Sequence, residues 1–173
     1  MSLFESLRVD GQVALVTGAG RGIGATIARY MAEAGAEVVL LSRTLSELQT
    51  VAQQIAEAGG RASIRQCDVM DAKALRAIIH ELPRLDILVN NAGIGLVGAF
   101  EAAPMPYIRK IFETNTFGTM AMVQAVIPQM RARRSGVIVN VTSSVTLAPM
   151  PLAAAYTASK QAVEGFSGSL AHE

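Results

Sequence analysis

Short, almost wholly apolar runs rich in β-branched residues alternate along this chain with longer stretches whose apolar residues recur at three and four spacing. The short runs, Val13 to Val16, Val38 to Leu41, Ser63 to Gln66, Ile87 to Val89 and Val137 to Val141, read as strands. The longer stretches predict helices from Ile23 to Ala34, Leu45 to Ala58, Ala72 to Leu82 and roughly Pro106 to Arg133, with a last helix from near Ala154 that is still running at Glu173. Gly35 and Gly59-Gly60 stand where the first two helices must stop, since glycine adopts the left-handed conformation that closes a helix. Strands that are apolar on both faces imply a parallel sheet covered by helices above and below. Right-handed crossovers then give the strand order 3-2-1-4-5, with a ligand crevice at the carboxyl ends beside the first strand. Thr17, Asn90 and Ser143 all fall on that rim.

Composition narrows the possibilities. The 173 residues, 51 % of them hydrophobic, suit a single domain over residues 1–173 with one buried core. A formal charge of +1 offers no basic field for nucleic acid. The apolar runs are too short to span a bilayer, and Met1-Ser2-Leu3-Phe4-Glu5 has no signal-peptide pattern, so a cytoplasmic location is expected. Cys67 is the single cysteine and reads as a structural thiol. No metal site is expected, because nothing beside His80 or His172 supplies a ligand spacing. Arg131, Arg133 and Arg134 cluster before Gly136, where they complement a helix dipole.

Two constellations carry chemistry. The loop Gly18-Ala19-Gly20-Arg21-Gly22-Ile23-Gly24 follows a strand and opens a helix, the setting in which glycines let backbone amides approach a pyrophosphate. Tyr156 and Lys160 stand four apart on one helix face, so an ammonium can lie beside a phenol. A phenol with an ordinary pKa of about 10 is a poor acid or base at neutral pH, and a neighbouring cation favours its phenolate. Proton transfer coupled to a dinucleotide is the chemistry that these residues suggest.

The Thr-Gly-x-x-x-Gly-x-Gly form of the loop, the Asn90-Asn91-Ala92-Gly93 tetrapeptide and the Ser143, Tyr156, Lys160 set together resemble the short-chain dehydrogenase/reductase family over the whole chain. The resemblance implies a Rossmann-type doubly wound fold and a catalytic tetrad of Asn115, Ser143, Tyr156 and Lys160. Tyr156 would exchange a proton with an alcohol or carbonyl substrate. Ser143 would bond the substrate oxygen, Lys160 would hold the nicotinamide ribose, and Asn115 would hold a water beside Lys160. Gly18, Gly20, Arg21, Gly22, Ile23 and Gly24 would bind the cofactor phosphates. Asp68 and Val69 would contact the adenine, while Asn90, Ala92 and Gly93 would wall the ribose.

Cofactor choice rests on Leu41-Ser42-Arg43-Thr44, which places no carboxylate where one would repel a 2′-phosphate and offers Arg43 to pair with it. With Arg21 as a second cation, NADP is expected over NAD. The resemblance further implies a homodimer or homotetramer built on the methionine-bearing helix of Met120, Met122 and Met130 and on the helix after Tyr156. Family members continue through two more strands and a substrate-covering loop, so the chain is expected to lack the last strands of the fold. The strand from Val137 would then be an apolar edge. A dinucleotide-binding module without turnover is the competing reading. The epimerase branch of the same fold shares the Tyr and Lys spacing, and Asn90-Asn91-Ala92-Gly93 argues against it.

Overall fold

The computed structural model describes residues 7–173. Five parallel strands, β1 (Val13–Thr17), β2 (Glu37–Ser42), β3 (Arg61–Gln66), β4 (Ile87–Asn90) and β5 (Val137–Asn140), form one sheet in the order β3-β2-β1-β4-β5. This is the order that right-handed crossovers require. Alternation along the strands divides the core into two layers. Ala14 and Val16 of β1 and Val38 and Leu40 of β2 face α1 (Gly22–Glu33) and α2 (Leu45–Glu57), meeting Ala25, Ala28, Leu48 and Ile55. Leu15, Val39, Leu41 and Leu88 face the other way, onto Leu75 and Ile79 of α3 (Ala72–Glu81) and Met122, Val123 and Val126 of α5 (Gly118–Arg133). Burying a leucine such as Leu15 or Leu40 contributes about 2–3 kcal/mol, so the two layers fix the register of the sheet against slippage.

Local signals place the element ends. Gly35 (φ +101°) and Gly59 (φ +81°) close α1 and α2 in the left-handed conformation. Asp71 caps α3, its Oδ1 accepting from the Lys73 and Ala74 amides at 3.1 and 2.9 Å. Asp86 pins the start of β1 to the start of β4, accepting from the Val13 amide at 2.9 Å and from Arg84 Nε at 2.7 Å.

The region predicted as one helix from Pro106 to Arg133 is three consecutive stretches: α4 (Met105–Phe112), a wide π turn (Glu113–Phe117) and α5. Thr114, Asn115 and Thr116 of the π turn are all buried, and the side chains of Asn115 and Thr116 find partners outside the helix. The last helix, α6 (Ala154–Leu170), ends three residues earlier than its periodicity suggests. Its final amides turn to tighter bonds, His172 to the Ser169 carbonyl and Glu173 to the Leu170 carbonyl, after a run of weak helix formers, Ser167-Gly168-Ser169. β5 bears out the expectation of an apolar edge strand: Val137 and Val139 are 54 % and 43 % exposed. Among the described residues no helix is long and apolar enough to cross a membrane.

Candidate active site

A cavity of about 570 Å³ opens at the carboxyl ends of β1, β2 and β4, and runs from the glycine loop to Tyr156 and Lys160. At its floor the loop turns sharply through Gly18 (φ +65°). Gly24 lies so close beneath that a Cβ there would overlap the Gly18 carbonyl oxygen and come within 2.5 Å of Asn91 Nδ2. The first turn of α1 follows with no side-chain cap on its amides, which leaves them free for an anion.

Asn91 fixes this loop from β4. Its Nδ2 donates to the Thr17 carbonyl at 3.0 Å, and the Asn91 and Ala92 amides both donate to Thr17 Oγ1 at 3.0 Å. Asn90, expected in the cofactor wall, does not line the cavity. It is buried, and its Nδ2 donates to Asn140 Oδ1 at 2.8 Å. Asn140 Nδ2 donates in turn to Ser167 Oγ at 2.8 Å, so this pair ties β4 and β5 to α6. Adjacent strand residues point oppositely, and here that pleat assigns Asn91 to the rim and Asn90 to the sheet interior.

Beyond the π turn lies the proton-transfer end. Lys160 is 5 % exposed and its Nζ donates to the Val141 carbonyl at 2.7 Å. Burial pushes its pKa below the ordinary lysine value. Tyr156 stands one turn earlier on α6 in the same cavity, with its ring packed against Gly95, whose added Cβ would stand 3.7 Å from Tyr156 Cδ2.

Asn115 is wholly inside. Its Oδ1 accepts from the Ile94 amide at 2.8 Å, and its Nδ2 donates to the Ile94 carbonyl at 2.9 Å and to Ser159 Oγ at 3.0 Å. Both amide hydrogens are therefore used in holding the loop after β4 against α6. The unused capacity of this side chain is one lone pair on Oδ1. Gly93 borders it, since a Cβ there would lie 3.3 Å from Oδ1 and 3.6 Å from Lys160 Nζ.

Ser143 begins a tight turn over Ser144–Thr146 and does not line the cavity; Thr142 before it does. Ser143 Oγ accepts a long bond of 3.4 Å from the Val145 amide. Thr146 stabilises the turn by donating its hydroxyl to the Ser143 carbonyl at 2.8 Å, and Gln161 on α6 donates to the Thr146 carbonyl at 2.7 Å. The loops after β4 and β5 are joined as well, the Gly98 amide donating to the Leu152 carbonyl at 2.8 Å. Leu152 holds a left-handed φ of +63°, a local strain of order 1–3 kcal/mol.

At the far end Ser42, Arg43 and Thr44 line the cavity with Arg21 and Glu47. Ser42 Oγ is buried without a hydrogen-bond partner among the described residues. Arg43 Nη1 lies 3.7 Å from Asp68 Oδ2, and Arg21 Nη1 lies 4.0 Å from Glu47 Oε1. Val69 adjoins Asp68 on the cavity wall and packs beneath Gly118 at the start of α5. Cys67 also faces the cavity, where burial raises the thiol pKa. Glu47, Asn91 and Thr114 were outside the candidate site residues read from the sequence, and Cys67, read there as a structural thiol, lies on the cavity wall. Only Asn91 had a signal, its place in the Asn-Asn-Ala-Gly run. Among the described residues no three His, Cys, Asp or Glu side chains converge as metal ligands.

A glycine cradle too tight for a Cβ, an uncapped helix start, an orphaned hydroxyl and two arginines fit an extended, anionic ligand reaching from Arg43 to Lys160. Fold and site together define a dinucleotide-binding α/β protein of the Rossmann type. The family model described as short chain dehydrogenase matches residues 12–173, and the chain belongs to that family.

The chain is 38 % identical over 171 residues to a fatty acyl-CoA reductase of Acinetobacter baylyi, covering 95 % of this chain and 58 % of the reductase. It therefore spans little more than half of that relative's length. The crystal structure of a metagenomic short-chain oxidoreductase in complex with NADP superposes with a TM-score of 0.90 at 38 % identity, covering 94 % of this chain and 76 % of that one. A 7α-hydroxysteroid dehydrogenase complexed with NADH and 7-oxo glycochenodeoxycholic acid superposes with a TM-score of 0.89 at 35 % identity, covering 96 % and 66 %.

Proposed function

We propose that this chain carries the NADP(H)-binding and proton-transferring part of an oxidoreductase acting on an alcohol or carbonyl compound. The observation that carries the reading is the continuity of one cavity from the glycine loop to the paired Tyr156 and Lys160. When bound, the dinucleotide supplies or accepts hydride. Tyr156 gives a proton to the substrate oxygen in reduction and takes it in oxidation. Lys160, anchored on the Val141 carbonyl and lining the same cavity as Tyr156, would hold the ribose hydroxyls of the dinucleotide and supply a positive charge at that end. Ser143, at the start of the turn after β5, is the hydroxyl that this reading assigns to the substrate oxygen. Asn115 keeps the wall at Ile94 in place, and its free Oδ1 lone pair accepts from a water beside Lys160. Arg43, Ser42 and Arg21 receive the 2′-phosphate, a preference that accords with the NADP complex of the metagenomic relative.

An apolar substrate is part of this reading, since Val97, Phe100, Leu147 and Leu152 in the loops after β4 and β5 are all more than half exposed. A homodimer, or a tetramer of two such dimers, is part of this reading, since Phe117, 53 % exposed, edges a groove with Met120, Val123 and Phe166 between α5 and α6.

Calorimetric titration of NADPH and NADH into the wild-type chain and Tyr156→Phe, paired with a screen of carbonyl substrates, tests the reading. Both proteins should bind NADPH alike, and the substitution should lower turnover by about 10²-fold or more. Absence of NADPH binding by the wild type would refute it. A second reading, a binding module without turnover, is favoured by Ser143 standing outside the cavity. It predicts cofactor binding with no wild-type turnover to lose.

A further inference from the structure

The cation pair at the adenosine end is neutralised from within. Arg43 is matched by Asp68 and Arg21 by Glu47, so this end of the cavity has two positive and two negative side chains and no formal surplus for a phosphate. The two carboxylates differ in their surroundings. Asp68 follows β3, and its Oδ1 is already engaged by the Met70 amide at 3.0 Å. Glu47 sits in the first turn of α2, where the helix dipole favours a negative charge. Its side chain is 35 % exposed and leans inward over the glycine loop. A Cβ on Gly20 would stand 2.9 Å from Glu47 Oε2 and 2.9 Å from Ser42 Oγ. The carboxylate therefore shares one small space with the orphaned hydroxyl.

We infer that Glu47 is a specificity-determining residue that restrains the preference for a 2′-phosphorylated dinucleotide. This inference rests on the dinucleotide reading above. A phosphate received by Ser42, Arg43 and Arg21 meets the Glu47 carboxylate at close range. This cost falls on the phosphorylated cofactor, because a ribose hydroxyl at the same place adds no charge. Like charges a few ångströms apart near a protein surface repel by an amount equivalent to an order of magnitude in affinity, and salt weakens the effect. Nothing in the Ser42-Arg43-Thr44 sequence announces this restraint. It comes from a residue one helical turn further on, brought back over Gly20 by the start of α2.

The test is calorimetric titration of NADPH and NADH into wild type and Glu47→Gln, at low and at about 0.5 M salt, with Glu47→Ala as a second variant. At low salt Glu47→Gln should bind NADPH about tenfold more tightly, while NADH affinity moves by less than about twofold. High salt should shrink the difference between the two proteins. Equal shifts for both cofactors, or no shift for either, would overturn the role of Glu47 and leave dinucleotide binding intact. If the folded wild type binds neither cofactor, the dinucleotide reading fails and this inference falls with it.

Discussion

At Gly24 the requirement for glycine is steric rather than conformational. Any side chain there must displace either the Gly18 carbonyl or the Asn91 amide, and both belong to the hydrogen-bonded floor of the cavity. Gly24→Ala should therefore lower stability by about 1–3 kcal/mol, read from the urea midpoint, and weaken NADPH binding more than its loss of stability explains. A variant with wild-type midpoint and affinity would mean that the loop yields without cost. This glycine was legible in the sequence because its spacing within Gly18-Ala19-Gly20-Arg21-Gly22-Ile23-Gly24 follows a strand and opens a helix. The role of Asn91 was not. A run of two asparagines does not say which one turns outward; the pleat of β4 decides it, and the pleat depends on pairing with β1 and β5. Glu47 was invisible for a related reason, since a carboxylate in the first turn of a helix ordinarily serves that helix alone.

The π turn at Glu113–Phe117 is where an element of the fold departs most from its sequence. Apolar spacing from α4 into α5 continues without a proline or glycine break before Gly118, so periodicity reads one helix. The extra residue per turn is stabilised by tertiary bonds: Asn115 to both backbone groups of Ile94, and Thr116 Oγ1 to the Ser159 carbonyl at 3.0 Å. Such bonds link residues far apart in sequence and leave no local trace. Strands and most helices were legible because burial on two faces imposes its own pattern, as in β1 and β2. Asn115→Ala strands the Ile94 amide and carbonyl in a partly buried wall. It should cost about 2–4 kcal/mol in urea unfolding, with Asn115→Asp recovering the bond from the Ile94 amide but not the one to its carbonyl. An alanine variant as stable as wild type would show that water replaces the amide freely.

At the scale of the whole molecule, one charged side chain reinforces the backbone pairing of the sheet at the end opposite the cavity. Asp86 joins β1 to β4, receives Arg84, and lies near Arg133, which donates to the Leu85 carbonyl at 2.6 Å from the end of α5. Burial acts to raise the pKa of this carboxyl, but the Val13 amide and the Arg84 guanidinium outweigh it, so the folded-state value lies below the ordinary one. A depressed carboxyl pKa means that the unfolded chain binds the proton more readily. The stabilisation is then fully present above the unfolded value of about 3.9 and is lost as pH falls through the folded value. Asp86→Asn keeps an acceptor for Val13 without the charge. Its urea midpoint should fall below wild type at pH 7 by the equivalent of about 1–3 kcal/mol, and the two curves should converge below about pH 4. A gap that stays constant down to pH 3 would assign the effect of Asp86 to packing, because a neutral contact has no reason to follow the proton. The separation matters for the site as well. β1 and β4 run from this anchor directly to Thr17 and Asn90, and the glycine loop rests on Asn91 beside them, so loosening the anchor displaces the floor of the cavity without touching a single residue that lines it.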